Sequence, residues 1–291
     1  DSTRWAGLMG TSIAGTIVPV SGAEREHRIE VRDARAHEER FIPMKLLKQL
    51  IKSPYIRRRI YKEYDELNYS QLGEQQVIIN VLSRMPGYKA DLPKTYLDIG
   101  GFDPIQGSNT YRLYQLGWKG VIVEPNPAKT KNWEQIRPND KVITAAVVPD
   151  SWNEPYVPMI CEGHHDAREG ISRAINPKVR ASEKADITYN ARTIRLCDLL
   201  DECKKSKLYP TVLNLDIEGL EEQIVLDSGL AQSSIPLLCI EHFLNEFTTD
   251  YSALAYGESK LVQHLQDNYY LVSICGISLI FAQKDLYRPF S

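Results

Sequence analysis

The chain has no C-x-x-C pair, no G-x-G-x-x-G turn, no apolar run long enough to span a membrane and no strong net charge. Each absence removes a class of protein. Five cysteines, Cys161, Cys197, Cys203, Cys239 and Cys275, are scattered and odd in number. They exclude a disulfide framework and a thiolate zinc site, and fit reduced thiols in a cytoplasmic protein. A formal net charge of −3 offers no bulk attraction to nucleic acid, so nucleic acid is not an expected partner. Residues 6–22 are uncharged and follow Arg4, in outline like a signal-peptide core. They hold four glycines and a proline and are too short to span a bilayer, so they read as a strand or ordered arm. A chain that begins at Asp1 fits an excised domain of something longer.

What is present is concentrated in residues 95–127, TYLDIGGFDPIQGSNTYRLYQLGWKGVIVEPNP. The stretch reads as strand, glycine turn, helix and second strand, with Asp98 near the end of the first strand and Glu124 at the end of the second. Ser108 or Asn109 suits the helix cap, and Gly117 suits its left-handed stop. Acids and a close-approach turn at the carboxyl ends of neighbouring parallel strands make a nucleoside site. Glu124, followed by Pro125 and Asn126, stands where a carboxylate accepts two hydrogen bonds from a ribose diol. A dinucleotide turn directs helix-terminal N–H groups at a pyrophosphate. Here Asp98 and Asp103 flank Gly100-Gly101, which suits a cationic ligand with an ammonium and a sulfonium. S-adenosyl-L-methionine meets that description. An NAD-linked oxidoreductase and a non-catalytic module that keeps the fold for binding are the alternatives.

Around that unit the periodicity predicts an α/β domain. Helices are expected over 43–66 and 71–82 and then, after the opening unit, over 128–136, 193–203, 220–226 and 259–267. Further strands are expected over 141–148, 211–215 and 236–240, with a terminal antiparallel hairpin over 269–274 and 278–283. Residues 149–191 interrupt the rhythm and read as an insertion that adds strands or a lid. The expected organisation is an N-terminal helical extension or arm, 1–68, and a domain over 69–291 carrying that insertion. The arm is of a kind that packs on a neighbouring subunit in a homo-oligomer. The pair His164-His165 with Asp166 reads as a surface loop, since adjacent residues of a strand point apart.

Four stretches, taken together, resemble the FkbM-type methyltransferases. They are Tyr69-Ser70-Gln71-Leu72-Gly73-Glu74, the turn Asp98–Gly101, Gly117-Trp118-Lys119-Gly120 with Glu124-Pro125-Asn126-Pro127, and Leu215-Asp216-Ile217-Glu218-Gly219-Leu220-Glu221. The resemblance implies a Rossmann-like class I fold with a seven-stranded, mostly parallel sheet. It implies S-adenosylmethionine-dependent methyl transfer, usually to oxygen, on a sugar or secondary metabolite such as a polyketide or glycan. Carried over, it places Asp98, Gly100 and Gly101 at the methionine end of the donor and Glu124 on the ribose. Asn126 and Ala145 would then lie near the adenine. Ser108, Pro125 and Asp216 complete the expected donor-site set.

An alcohol acceptor must lose its proton as the new bond forms, to a base or with help from a cation. Asp216 ends the fourth strand, and Glu241 with His242 ends the fifth. One arrangement makes His242 the base, with Asp216 or Glu218 orienting it. The other makes Asp216, Glu241 and His242 ligands of a hard divalent cation, magnesium or manganese.

Overall fold

The computed structural model describes residues 28–31, 40–43, 68–88, 91–162, 171–174, 189–244 and 253–287. The chain forms two compact units, Asp1–Tyr64 and Asp65–Ser291. In the first, β1 (Arg28–Val31) pairs antiparallel with β2 (Arg40–Pro43). The arm over 6–22, the helix expected beyond residue 43 and the His164-His165-Asp166 stretch lie outside the described residues.

The second unit opens with helix α1 (Glu74–Ser83). It starts later than the expected residue 71, because Gly73 takes φ +93° and turns the chain before it. The Glu74 carboxylate accepts from the Leu72 N–H at 2.8 Å, and Ser70 bridges to Gly107, which fixes the segment against the domain. Then follow β3 (Thr95–Ile99), α2 (Tyr111–Gln115), β4 (Lys119–Val123), α3 (Pro127–Ile136) and β5 (Lys141–Ile143). Helix α2 stops where Gly117, at φ +83°, donates to the Tyr114 carbonyl while the Trp118 N–H reaches the Leu113 carbonyl. That is a glycine-terminated stop in which two late carbonyls are satisfied together.

The strand expected over 141–148 is two strands in different sheets. After β5 the chain leaves the main sheet and β6 (Ala146–Val148) joins a second one with β7 (Tyr156–Glu162), β8 (Ile171–Ala174) and β9 (Tyr189–Arg195). The helix expected from residue 193 also begins later. Residues 193–195 pair in parallel with β6, and α4 (Leu196–Lys205) follows. The Asp150 carboxylate accepts from the Cys197 N–H at 3.0 Å and so marks the helix start from outside the helix. The insertion therefore adds a sheet of its own.

The remaining elements are β10 (Val212–Leu215), α5 (Glu221–Asp227), a 3-10 turn at Gly229–Gln232, β11 (Leu237–Glu241), α6 (Ala253–Gly257), α7 (Lys260–Leu265), β12 (Tyr269–Cys275) and β13 (Ser278–Gln283). The seven-stranded sheet runs β12-β13-β11-β10-β3-β4-β5. All its pairings are parallel except those of β13 with β11 and β12, which are antiparallel. Counted along the chain within this sheet, its order is third, second, first, fourth, fifth, seventh, sixth.

Side-chain alternation divides the sheet between two apolar layers. Leu97, Ile99, Val121, Val123, Leu213, Leu215, Leu238 and Ile240 enter one, with Leu199, Ile224 and Leu261 of the helices. Tyr96, Ile122, Val212, Leu237 and Cys239 enter the other, with Ile78, Leu113 and Trp133. Burial on both faces is the expected state of a parallel sheet. No helix among the described residues is long and apolar enough to cross a membrane.

Candidate active site

The carboxyl ends of β3, β4 and β10 open into a cleft. It lies where the strand order reverses, between β3 and β10, the place where open α/β sheets bind ligands. Gly100 sits there at φ +87°, and a Cβ on it would lie 1.5 Å from the Asp216 carbonyl oxygen. Only glycine lets the loop after β10 cross so closely. The Gly100 and Gly101 N–H groups both donate to the Val123 carbonyl, at 2.9 and 3.4 Å. They are therefore committed to the sheet and do not form a pyrophosphate cradle. The Gly101 carbonyl in turn accepts from Trp133 Nε1 at 2.7 Å. Asp103, just beyond, holds the turn by accepting from the Ile105 and Gln106 N–H groups at 2.9 and 2.8 Å.

Asp98 is buried beside this turn. Its Oδ1 accepts from Asn214 Nδ2 at 2.9 Å, and its Oδ2 accepts from the Thr110 hydroxyl. Asn109 Nδ2 holds Asn214 Oδ1 at 3.0 Å. Behind Thr110 lies Arg137, which donates to Thr110 Oγ1 at 2.9 Å, to Tyr96 Oη at 2.8 Å and to Asp140 at 2.8 Å. Burial raises the Asp98 pKa, and the Arg137 charge and the two hydrogen bonds oppose that rise. The acid is thus held in place by a buried network whose cation comes from the end of α3. Gly120 belongs to the same structure: its N–H donates to Asp140 at 2.8 Å, and a Cβ there would strike the Tyr96 ring at 2.0 Å.

Glu124 is also buried. Its Oε1 accepts from the Asn126 N–H at 2.8 Å. Burial pushes its pKa up to about 7, against the Lys129 ammonium and the Asn126 hydrogen bond, which pull it down. Lys129 lines the same cleft with its ammonium 4.0 Å from the Phe102 ring centroid. A carboxyl fixed at a strand end, half ionised near neutrality and open to a cleft is a hydrogen-bond acceptor for paired hydroxyls.

Asp98, Gly100, Gly101, Ser108, Glu124, Pro125, Ala145 and Asp216 all line the cleft. Asn126 is not among the lining residues; its side-chain oxygen caps α3 through the Ala128 N–H at 2.9 Å. Ser108 Oγ accepts from the Tyr111 N–H at 3.1 Å and so caps α2 while it lines the wall. Neither Glu241 nor His242 lines the cleft. Glu241 stands close to Asp216, with carboxyl oxygens of the two within 4.8 Å.

His242 is separated from Glu241 by strand geometry. Successive residues of β11 face opposite layers, so the residue after Glu241 turns toward the layer that holds Tyr256. The two rings lie 6.2 Å apart, and His242 Nε2 is 3.7 Å from a Glu222 oxygen. Burial lowers the His242 pKa. Among the described residues Glu218, not His242, joins the two strand-end acids: oxygens of Asp216, Glu218 and Glu241 lie within 4.8 Å of one another. Glu218 reaches them from a left-handed backbone, φ +64°, unusual for a residue with a side chain. The loop is held by Glu221, which accepts from the Ile217 and Gly219 N–H groups at 2.7 and 2.9 Å.

Several contributors carry no motif in the sequence. Arg137 reaches the site only through the fold. Met159 of β7 and Ala174 of β8 bring the second sheet to the cleft wall, and Gln71 brings the segment before α1.

Fold and site together define a Rossmann-like α/β domain of the methyltransferase class. Over residues 98–267 the chain matches the methyltransferase FkbM domain, and it belongs to that family. The match supports methyl transfer over the NAD-linked alternative. No curated protein gives a significant match to the chain.

Proposed function

We propose that the protein is an S-adenosylmethionine-dependent O-methyltransferase acting on a hydroxyl of a sugar or secondary metabolite. The observation that carries this reading is the Glu124 carboxyl, buried at the end of β4 and lining the cleft beside a turn whose N–H groups are already used. That donor set fits a nucleoside without phosphates. Glu124 accepts from the ribose hydroxyls, Pro125 and Ala145 give the base an apolar edge, and Asp98 with Asn214 keeps the turn in shape at the methionine end.

When bound there, S-adenosylmethionine supplies a methyl carbon already activated by its sulfonium. The chain's own residues then have to align the acceptor and exclude water, and proximity supplies most of the rate. Met159, Ala174, Ile217 and Leu220 form apolar cleft wall, while Asp216 and Glu218 are its acidic part. The acceptor hydroxyl lies against those carboxyls, which orient it and take its proton. Burial and neighbouring acids raise the Asp216 pKa toward the range of an effective base at neutral pH. The catalytic domain spans residues 69–291, and the free buried thiols Cys203, Cys239 and Cys275 fit a reducing, cytoplasmic setting.

The test is incubation with methyl-labelled donor and a panel of hydroxylated sugars and polyketide-type alcohols, with amines and carbon nucleophiles alongside. The expected product carries a new methoxy resonance. Label found on nitrogen or carbon alone would overturn the oxygen assignment.

A further inference from the structure

Asp216, Glu218 and Glu241 come from the ends of two adjacent strands and the loop between them, and their oxygens converge within 4.8 Å. Oxygens that share a cation at 2.0–2.6 Å stand at most about 4–5 Å apart, so the spacing matches a coordination shell. Convergence of acids alone would say little. Here Glu241 is 7% exposed, and its Oε2 has no hydrogen-bond partner. Among the described residues, the charged groups that act most strongly on Asp216 and on Glu241 are acids. Asp98, in the same cleft, has instead an arginine behind it and two side-chain donors on its oxygens. A buried carboxyl facing two others has to share a proton or a cation with them. The loop is built to hold this arrangement, with Glu218 in a left-handed conformation clamped by the Glu221 carboxylate.

We propose that Asp216, Glu218 and Glu241 form a binding site for a hard divalent cation of the magnesium and manganese class. An all-oxygen donor set selects that class over zinc or copper. Three carboxyls leave the other positions of a six-coordinate ion to water or to an oxygen of a molecule in the cleft. Each carboxyl also keeps an oxygen for a proton or a hydrogen bond. The proposal stands apart from the assignment of the methyl donor, since it rests on a different wall of the cleft.

The experiment is a manganese titration of the full chain, followed by the paramagnetic resonance of free manganese, with magnesium as competitor. One site per chain is expected, displaced by magnesium. Glu241→Gln and Glu218→Gln should each weaken it about tenfold or more, at least the loss typical of removing an outer-shell partner. Glu218 is only half-buried, so its variant keeps the test available should the Glu241 variant fail to fold, and circular dichroism checks both. The absence of a site, or a site that survives both substitutions, overturns the proposal. A parallel titration with S-adenosylhomocysteine in chelator tests the donor reading separately. Its failure would leave a positive manganese result standing.

Discussion

Two groups of acids stand at one cleft, all lining it except Glu241, and they are held in different ways. On the β3–β4 side, Asp98 has Thr110, Asn214 and the charge of Arg137, and Glu124 has the Asn126 N–H and Lys129. On the β10–β11 side, Asp216, Glu218 and Glu241 face one another, and Glu241 Oε2 is left without a partner. The first wall is balanced by the protein itself and offers a shaped acceptor to a ligand's hydroxyls. Among the described residues the charged groups that act most strongly on Asp216 and Glu241 in the second are acids, so a proton or a cation has to be shared there. On the proposed function, their difference separates holding a donor from preparing an acceptor, although both are built from carboxylates at or just beyond strand ends.

The largest effect should come from breaking the balanced wall at its cation. Arg137→Met leaves Asp140 and Asp98 buried without their countercharge, and removing one partner of such a network costs about 3–5 kcal/mol. Urea unfolding should show it as a lowered midpoint with an unchanged slope.

Next comes the pH dependence of Glu124. Its pKa is about 7 when folded against 4.5 for the free group, so the folded chain binds the proton more tightly. Stability from this group is full below pH 4.5 and is lost as pH rises through about 7, by roughly 3 kcal/mol in all. Glu124→Gln should remove that slope and make the unliganded protein more stable at pH 8 than the parent. Thermal melts across pH 5–8 check it, and an unchanged slope would contradict the burial account.

The second wall should respond with a signature of its own. Burial raises both Asp216 and Glu241, with Glu218 and Glu221 adding to Asp216 and Asp216 adding to Glu241, so their contribution also falls as pH rises. Glu241→Gln should raise the melting temperature at alkaline pH by a few degrees. Manganese should do the same for the parent and not for the variant.

The smallest effect is expected at His242. With its ring turned toward Tyr256 and Glu222, His242→Gln should change turnover by less than about tenfold, below the usual range for loss of a general base. A larger loss, with the pH profile shifted, would return the histidine to the chemistry.

The strands β3, β4, β10 and β11 were legible in the sequence because they are short apolar runs ending at Gly, Asp or Glu. The hairpin and the glycine stop at Gly117 were legible for the same local reasons. Glu124 was visible because a strand, an acid and a proline stand in succession. The end of the fifth strand was legible, but not which way each of Glu241 and His242 turns from it. The period of two sends His242 to the other face of β11, while the loop at Glu218 brings back a residue two positions beyond the strand-end acid. Residues 141–148 show the limit of an apolar run: nothing in it marks the change of sheet after Ile143. Arg137 follows a helix end with no pattern around it, and its value lies wholly in long-range partners.

The central claim is that Glu124 receives a nucleoside's ribose in the balanced wall. The direct measurement is calorimetric titration of S-adenosylhomocysteine into the parent protein and into Glu124→Gln at pH 8. Two hydrogen bonds to a charged acceptor contribute about 1.5–3 kcal/mol each, so the variant should bind at least about a hundredfold more weakly at one site per chain. No binding by the parent, or equal binding by both proteins, would contradict it.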